Sequence, residues 1–111
     1  MKAVATCAAL AAILIIGSAA VHAEDTGLAI EHDVDRSNGR LCMTNHGHSG
    51  SGPGTTKPAA RAAAIAAWID FTNFEYGRAW SSFAASTGQL TRYTKEATGW
   101  SATVEARPCR R

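Results

Sequence analysis

Thr56-Lys57-Pro58-Ala59-Ala60-Arg61-Ala62-Ala63-Ala64-Ile65-Ala66-Ala67-Trp68-Ile69-Asp70-Phe71 is the stretch on which the fold turns. Alanine has the highest intrinsic helix propensity, Thr55 or Thr56 can cap the first free amides, and Pro58 suits a first turn whose amides lack intrahelical partners anyway. No further proline occurs before Pro108, so the helix is expected to continue through Tyr76 and Trp80 to Ser86. Gly77 weakens it by about 1 kcal/mol relative to alanine and marks a bend or pause. With Ile65 as origin, Trp68, Ile69, Thr72, Tyr76, Trp80 and Phe83 fall near one face, while Arg61, Asp70 and Arg78 fall largely off it. That face needs a cover.

The cover is expected from the C-terminal third. Gly88 stops the helical pattern, Gln89 to Thr94 alternates apolar with polar, Ala97-Thr98-Gly99 turns, and Trp100 to Ala106 alternates again. This is a period-two β-hairpin whose second strand lines up Trp100, Ala102, Val104 and Ala106 on one face, joined by Leu90 from the first. Upstream, Ser37-Asn38-Gly39 signals a turn, and Arg40 to His46 has β-compatible residues, giving a first strand that extends at most to His48. Gly47, Gly50, Gly52, Pro53 and Gly54 read as a flexible passage into the helix. The run lacks the lysine followed by serine or threonine of a nucleotide-binding loop, and no hydrophobic parallel strand precedes it. The order β-α-β-β predicts an α+β fold, one long helix packed on a small antiparallel sheet.

At the N-terminus, Met1-Lys2, the apolar run Ala3 to Ile16 and the small-residue ending Val21-His22-Ala23 have the three parts of a secretory leader, with cleavage expected after Ala23. The run stops at Gly17, short of the roughly 20 residues a spanning helix needs, so no stable membrane anchor is expected. The organisation predicted is a leader over 1–23, an acidic and loosely ordered arm over 24–38, and a single domain over 39–111. Leader removal leaves 88 residues of the 111, which limits the core. It also leaves two cysteines, Cys42 and Cys109. In an exported chain such a pair reads as a disulfide, and closing so long a loop stabilises by roughly 4 kcal/mol in the chain-entropy model.

The formal net charge of +2 falls to +1 without Lys2, a balance that favours no particular class of partner. Glu24, Asp25, Glu31, Asp33 and Asp35 crowd one end, and Arg107, Arg110 and Arg111 the other. Three arginines are too few for a nucleic-acid footprint, and no nucleic acid is expected as a partner.

Gly50-x-Gly52, Ala60-Arg61, Ala64-Ile65-x-Ala67-Trp68, Tyr76-Gly77, Trp80-x-x-Phe83-Ala84, and Trp100 followed by Ala106-Arg107-Pro108-Cys109 form a pattern over the last two-thirds of the chain. It resembles a group of small exported bacterial proteins of uncharacterised function. The resemblance implies a shared fold and adds no activity. Many members of the group carry a further cysteine pair on the final hairpin, which is absent here between Thr91 and Ala102, leaving Cys42 and Cys109 to staple the domain.

Few residues suggest chemistry. His46 and His48 lie two apart, so on a strand they would point to one side and could chelate Zn or Cu weakly through their ring nitrogens, with His32 joining from the arm. Ser49 or Ser51 beside His48 is a sequence neighbourhood for a small hydrolase, without the rest of a triad. Trp68, Phe71, Trp80 and Trp100 would make a stacking platform for carbohydrate or peptide if exposed, although their helical spacing favours the core. The reading that follows is an exported binding or envelope-accessory module without catalysis, with an unknown envelope or extracellular protein partner. A periplasmic metal binder using His46 and His48 and a small hydrolase are the alternatives.

Overall fold

The structure, a computed structural model, describes residues 28–111, so the leader predicted over 1–23 lies outside the described residues. A 3₁₀ turn at Leu28–Glu31 leads into β1 (Val34–Ser37) and β2 (Arg40–Met43), followed by β3 (His48–Gly54) and α1 (Lys57–Tyr76). Two further 3₁₀ turns, Arg78–Trp80 and Phe83–Ala85, connect α1 to the long hairpin of β4 (Thr87–Glu96) and β5 (Gly99–Arg107). β1 and β2 form their own antiparallel pair, and the second sheet has the order β3-β5-β4, antiparallel throughout. The fold is α+β, with one helix on small antiparallel sheets and a Cys42–Cys109 disulfide. Among the described residues no helix is long and apolar enough to cross a membrane.

α1 starts where its sequence says it should. Thr56 has extended backbone and its hydroxyl accepts the Ala59 N–H at 3.2 Å, while Pro58 occupies the first turn. The helix ends earlier than the alanine-rich pattern suggests. Gly77 takes φ 95°, a value that favours glycine, and its N–H closes on the Asn73 carbonyl. Beyond it Trp80 and Phe83 reach the interior from 3₁₀ turns rather than from a continued helix. The predicted extension to Ser86 is therefore corrected, and Gly77 is a terminus rather than a bend.

The buried residues of α1 are Ala60, Ala64, Trp68, Thr72 and Tyr76, a ridge with a strict spacing of four. The glycines of β3 explain why its first two members are alanines. A Cβ on Gly50 would fall on the backbone of Ala64 and Trp68, one on Gly52 on Ala63 and Ala64, and one on Gly54 on Ala59 and Ala60. Helix and strand backbones thus touch almost directly along three turns. The segment read as a flexible passage is an edge strand, paired with β5 from His48↔Ala106 to Gly54↔Trp100. Its period-two glycines are the requirement of that close approach.

β5 is central and supplies Ala102, Val104 and Ala106 to the core with Trp68 and Phe83, while Ile65, Ile69 and Trp100 flank it. Trp68 is fully buried, and its indole N–H lies 2.9 Å from the His48 carbonyl and 3.3 Å from that of Ala106. Because α1 sits over β3 and β5, it leaves β4 largely uncovered. Leu90 is 44% exposed and does not join the buried face assigned to it.

Of the loose arm expected over 24–38, residues 24–27 lie outside the described residues, and the part from Leu28 on differs from that expectation. Asn38 and Gly39 both take positive φ, 50° and 78°, the signature of a tight hairpin turn, and β1 and β2 pair across it from Val34↔Met43 to Ser37↔Arg40. The first strand therefore ends at Met43 and belongs to this separate hairpin. Ala29 and Met43 pack on Tyr76 and Trp80 in a second cluster, with Leu41 and Ala79 against it. The C-terminal segment ties the hairpin down through the disulfide, through Met43 N–H to the Pro108 carbonyl and through Arg110 N–H to the Leu41 carbonyl.

Candidate metal centre

Three segments meet where the β1–β2 hairpin opens toward the end of α1. Past the last strand pair, the backbone N–H and the hydroxyl of Thr44 both donate to the Asp33 carbonyl, at 3.0 and 3.2 Å. This one extra step keeps the chains together long enough to bring His32 and His46 side by side, with ring centroids 4.6 Å apart. On the facing helix Thr72, Glu75 and Tyr76, spaced i, i+3 and i+4, point the same way. The donor atoms of His32, His46 and Glu75 all lie within 4.8 Å of one another, and each of these side chains is half-buried.

His32 is oriented as a metal ligand is. Its Nδ1 lies 3.0 Å from the Leu28 carbonyl, which can only accept, so Nδ1 carries the proton and Nε2 presents its lone pair. Tyr76 approaches that lone pair with its hydroxyl at 3.3 Å. Burial, together with the charge and hydrogen bonding of Glu75, pushes the Tyr76 phenol up to about 12, so it remains a proton donor at neutral pH.

His48 has a different place from His46. It begins β3 and is buried, stacked on Tyr76 with centroids 4.8 Å apart and near Phe71 at 4.7 Å. Its Nδ1 is 2.9 Å from the Thr72 hydroxyl and its Nε2 is 2.9 Å from a carboxylate oxygen of Glu75. A carboxylate accepts only, so the Nε2 proton faces Glu75 and Nδ1 accepts from Thr72. The approach of Glu75 is oblique to the ring N–H, an ion-pair distance without in-line hydrogen-bond geometry. Burial lowers the His48 pKa below 6.5, opposed by the Glu75 charge and assisted by His46 and His32. At neutral pH His48 is thus a neutral ring that braces Glu75 from behind.

Both histidines singled out in the sequence are at this centre, with rings 5.0 Å apart, but only His46 shares its donor set with His32 and Glu75. Glu75 escaped the sequence reading, although its position three residues after Thr72 on the buried ridge and next to Tyr76 placed it at the edge of that face. A pocket of about 230 Å³, lined by Glu31, His32, Asp33, Asn45 and His46, opens the centre to solvent. For Zn²⁺ bonds of roughly 2.0–2.1 Å, tetrahedral donors stand roughly 3.3 Å apart, so the triad would close by up to about 1.5 Å around an ion. Rotation of half-exposed side chains can supply that movement.

The other sequence candidates are dispersed. Ser49 and Ser51 point away from the helix on β3, Ser51 hydrogen-bonding Thr103 at 2.8 Å, whereas His48 points toward it. Trp68 and Trp80 are buried, Trp100 is half-buried beneath the ammonium groups of Lys57 and Lys95, and Phe71 is exposed, so the four aromatics share no platform. Compared with protein-family models, with curated proteins and with solved structures, the chain finds no match in any of the three.

Proposed function

We propose that the protein is an exported, disulfide-stapled binding module that holds one divalent transition ion, Zn²⁺ or Cu²⁺, at His32, His46 and Glu75. The observation that carries this reading is the convergence within 4.8 Å of three donors from three separate segments of the chain. Two imidazoles and a carboxylate suit these ions by ligand type and leave a coordination position toward the pocket. The leader and the disulfide support export, because disulfides persist in oxidising compartments. The role is one of binding rather than catalysis.

Calorimetric titration of the disulfide-bonded protein with Zn²⁺ tests it. One ion per chain is expected, and His46→Ala or Glu75→Gln should each weaken binding by at least tenfold. His48→Gln should weaken it by about 10- to 100-fold through loss of the brace on Glu75, the range typical of groups that orient a ligand. Absence of heat with the wild-type protein would overturn the reading. Docking of an envelope or extracellular protein without metal would then be favoured, on the observation that Phe71 and Phe74 are 49% and 83% exposed on α1.

A further inference from the structure

Resting on the metal-binding reading above, we propose that the Cys42–Cys109 disulfide gates the metal centre, so that the chain holds its ion in the oxidised state and releases it when the disulfide is reduced. Two of the three donors, His32 and His46, flank the β1–β2 hairpin, while the third, Glu75, belongs to α1. The centre exists only while the hairpin is held against the helix. A two-stranded hairpin is marginal in water by itself and depends on what holds it to the rest of the molecule. Apart from the ring contacts of His32 and His46 with Tyr76 at the centre itself, its attachments include the small cluster of Ala29 and Met43 on Tyr76 and Trp80, the backbone bonds of Met43 and Leu41 to the C-terminal segment, Arg40 reaching the Ala85 carbonyl at 3.4 Å, and Arg107 reaching the Met43 and Thr44 carbonyls at 3.4 and 3.0 Å. The disulfide is the one covalent link between hairpin and C-terminal segment, and Cys42 stands four residues before His46.

Both cysteines are buried, at 3% and 1% exposure. A reductant therefore reaches the sulfurs only when the hairpin lifts, and that same movement carries His32 and His46 away from Glu75. Metal binding and disulfide protection share one closed conformation, so by linkage each favours the other. The redox step is an ordinary exchange with a dithiol reductant. The Cys42–Cys109 S–S bond breaks, two S–H groups form with two electrons and two protons from the reductant, and the reductant closes to its own disulfide. In a thiol-reducing compartment the chain would stay unloaded, and loading would follow export and oxidation.

Two measurements decide it. In the first, Zn²⁺ is titrated into the oxidised wild type and into the Cys42→Ser/Cys109→Ser variant, both without residues 1–23, so that Cys7 is absent and the variant has no thiols to bind the ion itself. A loss of at least tenfold in affinity is expected in the variant. In the second, the initial rate of disulfide reduction by a water-soluble phosphine is followed with and without saturating Zn²⁺, a phosphine being used because a thiol would compete for the ion. Zn²⁺ should slow reduction at least tenfold in the wild type and leave the His46→Ala variant unaffected. The second measurement decides the matter should the double-serine variant be unfolded. Zn²⁺ that binds the oxidised wild type yet leaves its reduction rate unchanged would overturn the gate while the metal site stands, whereas no binding to the oxidised wild type would remove both.

Discussion

His48 illustrates how one side chain serves stability and site together. It is enclosed by Thr72 and Glu75 of α1, stacked on Tyr76, and flanked by His46 and His32 from the hairpin side. Its lowered pKa means that the folded state takes up a proton less readily than the unfolded chain, whose histidine titrates near 6.5. The His48 contribution to stability is thus fully present above pH about 6.5 and is lost as the pH falls below it. Urea melts across pH 5 to 8 should show stability falling on the acid side, with a shallower fall in His48→Gln. An equal fall in the two proteins would assign the acid sensitivity elsewhere. Trp68 is the other decisive residue, buried completely with its N–H shared between two carbonyls. Trp68→Ala should cost roughly 3–5 kcal/mol, enough to unfold a marginal domain, and a loss within about 1 kcal/mol in urea would contradict its place at the centre of the core.

Among the elements, β3 carries the largest gap between sequence and fold. Glycine and proline are depleted in strands because they forfeit side-chain packing or a ladder donor, so His-Ser-Gly-Ser-Gly-Pro-Gly resembles a linker in isolation. Its role depends on a partner distant in sequence, the Ala60 and Ala64 side of α1, where a Cβ would collide with backbone that cannot move away. Gly50→Ala should accordingly destabilise by about 1–3 kcal/mol or more. Ser49→Ala, on the exposed side of the same strand, should stay within about 0.5 kcal/mol. Comparable losses from both in chemical denaturation would refute the close approach of helix and strand. α1 and the β4–β5 hairpin were legible by contrast, because alanine content, Thr56, and the alternation of Trp100, Ala102, Val104 and Ala106 are local signals. The end of α1 was less so: Gly77 costs only about 1 kcal/mol inside a helix, and it became a terminus because Trp80 and Phe83 pack on different clusters.

At the scale of the molecule there are two clusters, one between α1 and the three-stranded sheet and a smaller one beneath the β1–β2 hairpin. Stability follows burial unevenly in such an arrangement. Hydrogen exchange of the oxidised protein should therefore release the amides of 34–43 well before those of 102–106, and equal protection of both would mean a single cooperative unit.

Sequence alone determined the α+β class, the start of the helix, the final hairpin and the pairing of Cys42 with Cys109, since each follows from short-range propensity, period or cysteine count. Only the tertiary structure decided that His32, His46 and Glu75 converge and that His48 stands behind them. His32 and Glu75 are 43 positions apart in the chain. Their meeting depends on the Asn38-Gly39 turn, on the extra pairing of Thr44 with Asp33 and on the packing of Met43 against Tyr76, and no local pattern carries the product of those three conditions.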